Sequence, residues 1–155
     1  MAFIAKQTKD LSGIIGQAYA PGGDHIDKWL NVAGSGVDNC IKDQVAALTG
    51  GKTLVFFRVD EAETFVGYFG SEFDGSWLST IFIVPKYRPR KVEFWTVVKN
   101  HMKPVFKNAG FHKNVPACNF YRKMGGKEIG RTETEHGPIT MFEYGKDAEW
   151  QLQLV

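Results

Sequence analysis

Residues 81–94, IFIVPKYRPRKVEF, restrict the architecture more than any other stretch of the chain. Apolar residues, a chain-breaking proline, a basic turn and then an amphipathic pattern describe a buried strand that turns directly into a helix. Turns of this kind hold anionic ligands, because the first amides of the helix have no internal partners. They normally carry glycine so that the backbone can approach a phosphate closely. This turn contains Pro89, Arg90, Lys91 and Glu93 and no glycine.

Around it the hydrophobic period alternates between extended and helical. FIAKQT (3–8) predicts a first strand, and LSGIIGQAY a helical turn that stops at Pro21-Gly22-Gly23. HIDKWLNVAG and VDNCIKDQVAALTG repeat apolar residues at helical spacing. The GKT that follows is no phosphate-binding P-loop: position 46 is alanine, and the order is helix then strand. LVFFRV and TFVGYFGSEF predict an antiparallel hairpin, and SWLSTIFIV adds a strand closed by Pro85. Val92, Trp95, Val98, Met102 and Val105 then predict one face of a long helix opening around Pro89. NAGFHKN (108–114) reads as a strand, PACNFYRKMG as a short helix, and KEIGRTET with ITMFEY as a hairpin around His136-Gly137-Pro138. The order β, α, α, β, β, β, α, β, α, β, β predicts one α/β (α+β) domain, at 155 residues, with a mixed, mostly antiparallel sheet flanked by helices.

Charge is distributed unevenly. Residues 86–131 hold 12 Lys and Arg against 2 Asp and Glu, whereas residues 1–85 hold 6 against 10 and residues 132–155 hold 1 against 5. A block of +10 between acidic flanks suits an anionic ligand, either a polyphosphate-bearing small molecule or a nucleic-acid backbone; its alternative is a solvated face that neutralises the flanks. No apolar run reaches the length of a membrane span, and MAFIAKQTKD has no signal-peptide pattern, so a cytoplasmic location is expected. Cys40 and Cys118 read as reduced, half-buried hydrophobes, and His25, His101, His112 and His136 lack metal-ligand spacing, so no metal site is expected.

Two stretches resemble motifs of the GNAT family of N-acetyltransferases. IVPKYRPRKVE (83–93) is similar to that family's strand-to-helix turn V-x-P-x-Y-R-G-K-G-x-G, matching at Pro85, Tyr87 and Arg88. NVPACNFYRKMGG (114–126) resembles the C-terminal pattern N-x-x-A-x-x-F/L-Y-x-K-x-G-F, matching at Asn114, Ala117, Phe120, Tyr121, Lys123 and Gly125. The resemblance covers residues 53–145; residues 1–52 then correspond to variable acceptor-side helices and 146–155 to a tail.

The resemblance implies an acyl-CoA-dependent N-acyltransferase with a sheet splayed between its fourth and fifth strands. Acetyl-CoA would lie in that gap, its pantetheine arm on the backbone of Ile83 and Val84 and its pyrophosphate on the helix opening after Arg88. Arg90 and Lys91 would replace the missing glycines with side-chain charge, and Asn114 would hold the cofactor or the next helix. Tyr121 would act as general acid to the departing thiolate. The family's glutamate on the fourth strand is replaced by Ser79 or Thr80, which leaves Glu72 as the substitute base, with Asp74 beside it. The residues also admit plainer roles: Tyr121 as a core aromatic and Asn114 as a helix cap. Two rival functions stand beside the enzyme. One is a catalytically degenerate structural or interaction component, as in acetyltransferase-like phage internal virion proteins, located in the virion. The other is a nucleic-acid modifier using the basic 86–131 block. The amine acceptor would be chosen by residues 9–50, whose helix pair would cover the cleft or dock a protein partner; a homo-oligomer stays open, through an added edge strand or the Trp150 tail.

Overall fold

The computed structural model describes residues 3–8, 10–19, 45, 52–58, 64–135 and 137–145. Within them the chain runs β1 (Phe3–Gln7), α1 (Leu11–Tyr19), β2 (Lys52–Arg58), β3 (Phe65–Glu72) and β4 (Trp77–Ile83). A 3₁₀ turn (Pro85–Arg90) leads into α2 (Lys91–His101), followed by β5 (Phe106–Phe111), α3 (Val115–Lys123), β6 (Lys127–Thr134) and β7 (Gly137–Tyr144). The strands form one sheet in the order β1-β2-β3-β4-β5-β7-β6. Every pairing is antiparallel except β4 with β5, which α2 connects as a crossover. The expected α/β class, with a mixed and mostly antiparallel sheet flanked by helices, is the fold that forms.

Strand alternation divides the apolar residues between two faces. On one face Phe56, Phe69 and Phe142 of the sheet and Phe94 and Val98 of α2 are fully buried in one cluster, with the Phe56 and Phe94 ring centroids 4.2 Å apart. On the other, Ile15 and Ala18 of α1 cover Tyr68 and Phe82. Asp10 starts α1, its carboxylate accepting the Gly13 N–H at 3.1 Å and so satisfying an orphan amide of the first turn. The Asp74-Gly75 turn forms as expected, and Gly75 adopts φ +83 there.

Several boundaries differ from the sequence pattern. The expected apolar stripe of α2 forms at Trp95, Val98 and Met102, which are buried, but Val92 is 59% exposed and Phe94 is buried in addition. Pro89 is accommodated inside the 3₁₀ turn rather than at the first turn of the α-helix, which opens at Lys91. The helix stops at His101, short of Val105, because Pro104 follows it. β5 spans 106–111, ending earlier than 114 because Asn114 already caps α3. Gly137 and Pro138, expected in the last turn, are strand residues paired with Thr134 and Glu133. The two helices expected between residues 24 and 50 lie outside the described residues, apart from Val45, which is helical.

Candidate functional site

The site begins where β4 and β5 separate. Trp77 and Lys107 are their one registered pair, supported by the Lys107 N–H donating to the Ser76 carbonyl at 2.9 Å. Beyond it no further β4–β5 pair forms, on toward Ile83 on one strand and Phe111 on the other. A β-bulge helps open it: Gly70 opposes Thr80 and Ser71 opposes Leu78, which leaves Ser79 unopposed. The Ser79 hydroxyl is buried without a hydrogen-bond partner. Because Val84 N–H donates to Val66 at 2.8 Å, ladder alternation turns the polar groups of Ile83 away from β3 and toward the gap.

On the β5 side, α3 lays Tyr121 against the strand at Gly110. A Cβ at Gly110 would lie 3.1 Å from the Tyr121 ring and 3.3 Å from the Cys118 sulfur, so a glycine is what lets the tyrosine approach. Tyr121 is buried, its ring edge-on to Phe142 at 5.6 Å. Burial in this apolar setting pushes its phenol well above the ordinary tyrosine range and keeps it protonated. The Cys118 thiol is raised for the same reason. Asn114 caps α3, its side-chain oxygen accepting the Ala117 N–H at 3.2 Å.

The strand-to-helix turn has internal partners for most of its polar groups. Tyr87 N–H donates to Val84 at 2.9 Å, Lys91 N–H donates to Arg88, and Pro89 has no N–H. Arg88 Nε–H donates to the Ile83 carbonyl at 2.9 Å, tying the end of β4 to the turn. Arg90 pairs with Glu93, its Nε 3.1 Å from the carboxylate, and its guanidinium lies 4.5 Å over the Phe3 ring. That ion pair holds Glu93 below the ordinary carboxylate range. Lys91 reaches Phe120 of α3, 5.9 Å from the ring centre.

Thus Ile83 and Arg88 meet at the end of β4, Lys91 reaches α3 at Phe120, Tyr121 packs on β5 at Gly110, Arg90 is directed to β1, and the Val84 amide is committed to β3. Glu72 lies at the end of β3 opposite Trp77, at the closed end of the gap. Tyr121 sits at the level of Gly110, three residues beyond the Trp77–Lys107 pair, or about 10 Å along the strand. The residues that sequence reasoning passed over are Gly110, signalled by a glycine inside a strand pattern, and the Ser79 bulge, which had no sequence signal. The β4 edge past Trp77 and the partnerless Ser79 hydroxyl are the groups that could meet an extended arm, whereas the Tyr87 and Lys91 amides are taken and Pro89 has none to give a pyrophosphate. The basic block is partly neutralised, since Lys103, Lys107, Arg122 and Arg131 pair with Asp74, Glu143 and Glu128. No helix among the described residues is long and apolar enough to cross a membrane.

No protein-family model and no curated protein matches the chain. Solved structures do match. An aminoglycoside N(6')-acetyltransferase from Legionella pneumophila shares 19% identity over 97% of this chain and 96% of its own, with a TM-score of 0.67. YjaB from Escherichia coli, in its apo form, shares 18% over 93% and 98%, with a TM-score of 0.65. The aminoglycoside acetyltransferase AAC(6')-Ib in complex with coenzyme A shares 13% over 98% and 99%, with a TM-score of 0.61. At these identities the likeness is one of fold.

Proposed function

We propose, from the premise of a GNAT acetyltransferase fold, that this chain is an N-acyltransferase that moves an acyl group from acyl-CoA to an amine. The observation that carries the reading is the interrupted β4–β5 pairing with Tyr121 packed at Gly110 beside the gap. Coenzyme A complexes of the similarly folded AAC(6')-Ib support the choice of donor. Acyl-CoA supplies the activated thioester. Ile83 offers the arm its gap-facing backbone, and Arg88 and Lys91 offer positive charge at the mouth. Arg90 reaches the ligand only by leaving Glu93. Val84 and Asn114 act by holding the strand end and the helix start in place. A neutral amine attacks the thioester carbonyl, the C–S bond breaks, and Tyr121 gives its proton to the departing thiolate. Glu72 accepts the proton lost by the amine, through water given its place at the closed end.

The test is thiol release from acetyl-CoA with a panel of amines, run beside calorimetric titration of the donor. Turnover that collapses in Tyr121→Phe while donor affinity is kept supports the reading. No heat with acetyl-CoA from a folded sample overturns it. That second outcome is what a non-catalytic interaction component predicts, a reading favoured by the turn's own use of its amides and by the Arg90–Glu93 pair.

A further inference from the structure

We infer that the donor site reads a phosphopantetheine thioester, meaning the acyl arm with its one phosphate, and makes no use of the second phosphate and nucleotide that coenzyme A adds. The inference rests on the acyltransferase reading above and names what that site recognises.

A pyrophosphate spans the opening of a helix by drawing on several backbone amides at once. Here those amides are depleted in three ways. Pro89 has none, Lys91 N–H is bonded to the Arg88 carbonyl, and Tyr87 N–H to Val84. The first turn of α2 already carries a carboxylate, Glu93, in the place where the helix dipole would favour a second phosphate. Arg90 does not compensate, because its guanidinium is paired with that carboxylate and lies over Phe3.

The machinery for the arm and a first phosphate is intact. Past Trp77 the β4 edge pairs with no residue of β5, which leaves backbone groups for an extended chain, and the Ser79 hydroxyl of β4 is buried without a partner. At the end of β4 Arg88 is pinned to the Ile83 carbonyl, its guanidinium 5.8 Å over the Phe82 ring. Lys86 and Lys91 lie near the Tyr87 and Phe120 rings, and among the described residues neither has an ion-pair partner. Lys86, Arg88 and Lys91 put three cations within the one turn that ends β4, a set that suits one phosphate held by side chains. A phosphopantetheine thioester reaches a protein either within coenzyme A or on an acyl carrier protein, and both present the same arm.

The experiment titrates the full chain, by calorimetry, with acetyl-phosphopantetheine, acetyl-CoA, acetyl-pantetheine and a carrier protein bearing the acetylated arm. The expected result is that acetyl-phosphopantetheine and acetyl-CoA bind within about threefold of each other, while acetyl-pantetheine is weaker by roughly tenfold or more. Lys86→Ala should then weaken the phosphate-bearing arm and leave acetyl-pantetheine unchanged. Acetyl-CoA binding about thirtyfold or more tighter than acetyl-phosphopantetheine overturns the inference while leaving the acyltransferase reading standing. A carrier-borne arm that binds tighter than the free arm supports the inference with the carrier as source; one that binds no tighter supports it with coenzyme A as source. Silence from all four ligands, with native circular dichroism, overturns the acyltransferase reading and this inference together.

Discussion

Arg88 donates its Nε–H to the carbonyl of Ile83 across 2.9 Å, so the last residue of β4 and the cation nearest the gap are held in one unit. The arrangement orients a guanidinium at the mouth without the glycine-rich backbone that a turn of this type ordinarily uses. Arg88→Ala is therefore expected to weaken donor binding by roughly tenfold to a hundredfold, the range of a charge-assisted contact. Calorimetry would decide the sign. Tighter binding in the variant would mean that Arg88 blocks the Ile83 carbonyl instead of serving the ligand.

Tyr121→Phe removes one oxygen and leaves the ring packing against Phe142 and Gly110. Turnover should fall by about two to four orders of magnitude, with donor affinity nearly unchanged. Because burial raises the phenol above its ordinary range, the wild-type rate should show no alkaline fall from this group below about pH 10. A pH–rate profile of both proteins checks the assignment.

Gly110→Ala places a methyl group 3.1 Å from the Tyr121 ring and 3.3 Å from the Cys118 sulfur. Both neighbours are buried, so the helix must give way; a loss of about 1–3 kcal/mol is expected, the usual cost of overpacking. Urea unfolding measures the loss. A disproportionate fall in turnover relative to stability would show that the Tyr121 position itself matters.

Tyr144 donates its hydroxyl to the Asn108 side-chain oxygen at 3.1 Å, and both residues are buried. Tyr144→Phe strands the amide oxygen in the core, at an expected cost of about 1–3 kcal/mol. For a domain of this size each kcal/mol corresponds to roughly 2–4 °C in Tm. An unchanged Tm would mean that water reaches Asn108.

Alkaline pH should destabilise the fold. Burial raises the phenols of Tyr121 and Tyr144 above their unfolded value near 10. Their contribution is complete below that value and is lost as pH rises through it, because the unfolded chain releases protons that the folded chain retains. Each phenol should lower stability by about 1.4 kcal/mol per pH unit above pH 10. Denaturant unfolding at pH 9 and pH 11 tests this, and the slope should flatten in a Tyr121→Phe, Tyr144→Phe double variant.

The succession of strands along the chain and the position of α3 were legible from local pattern, whereas the insertion of β7 between β5 and β6 was not. β6 forms at the limits the pattern implied, and Asn114 caps its helix as its place before Pro116 suggests. The face of α2 was legible at Trp95, Val98 and Met102, but its start was not, because whether Pro89 joins an α-helix or a 3₁₀ turn depends on how β4 ends. The site divided in the same manner. Tyr121 stands out in its motif, but its closeness to the gap depends on Gly110, a residue of a different element.

By itself, the sequence determined the alternation of strands and helices, the basic concentration in residues 86–131 and the loss of glycine from the turn, all consequences of side-chain chemistry along a few neighbouring positions. Tertiary structure alone decided where those charges settle. Arg90 and Glu93 are close to Arg88 and Lys91 in the chain, yet Arg90 lies over Phe3 of β1 while Arg88 is tied to Ile83 and Lys91 reaches Phe120. The physical reason is that a charged side chain settles where a partner lowers its energy, and the partner here comes from a strand at the far end of the sequence.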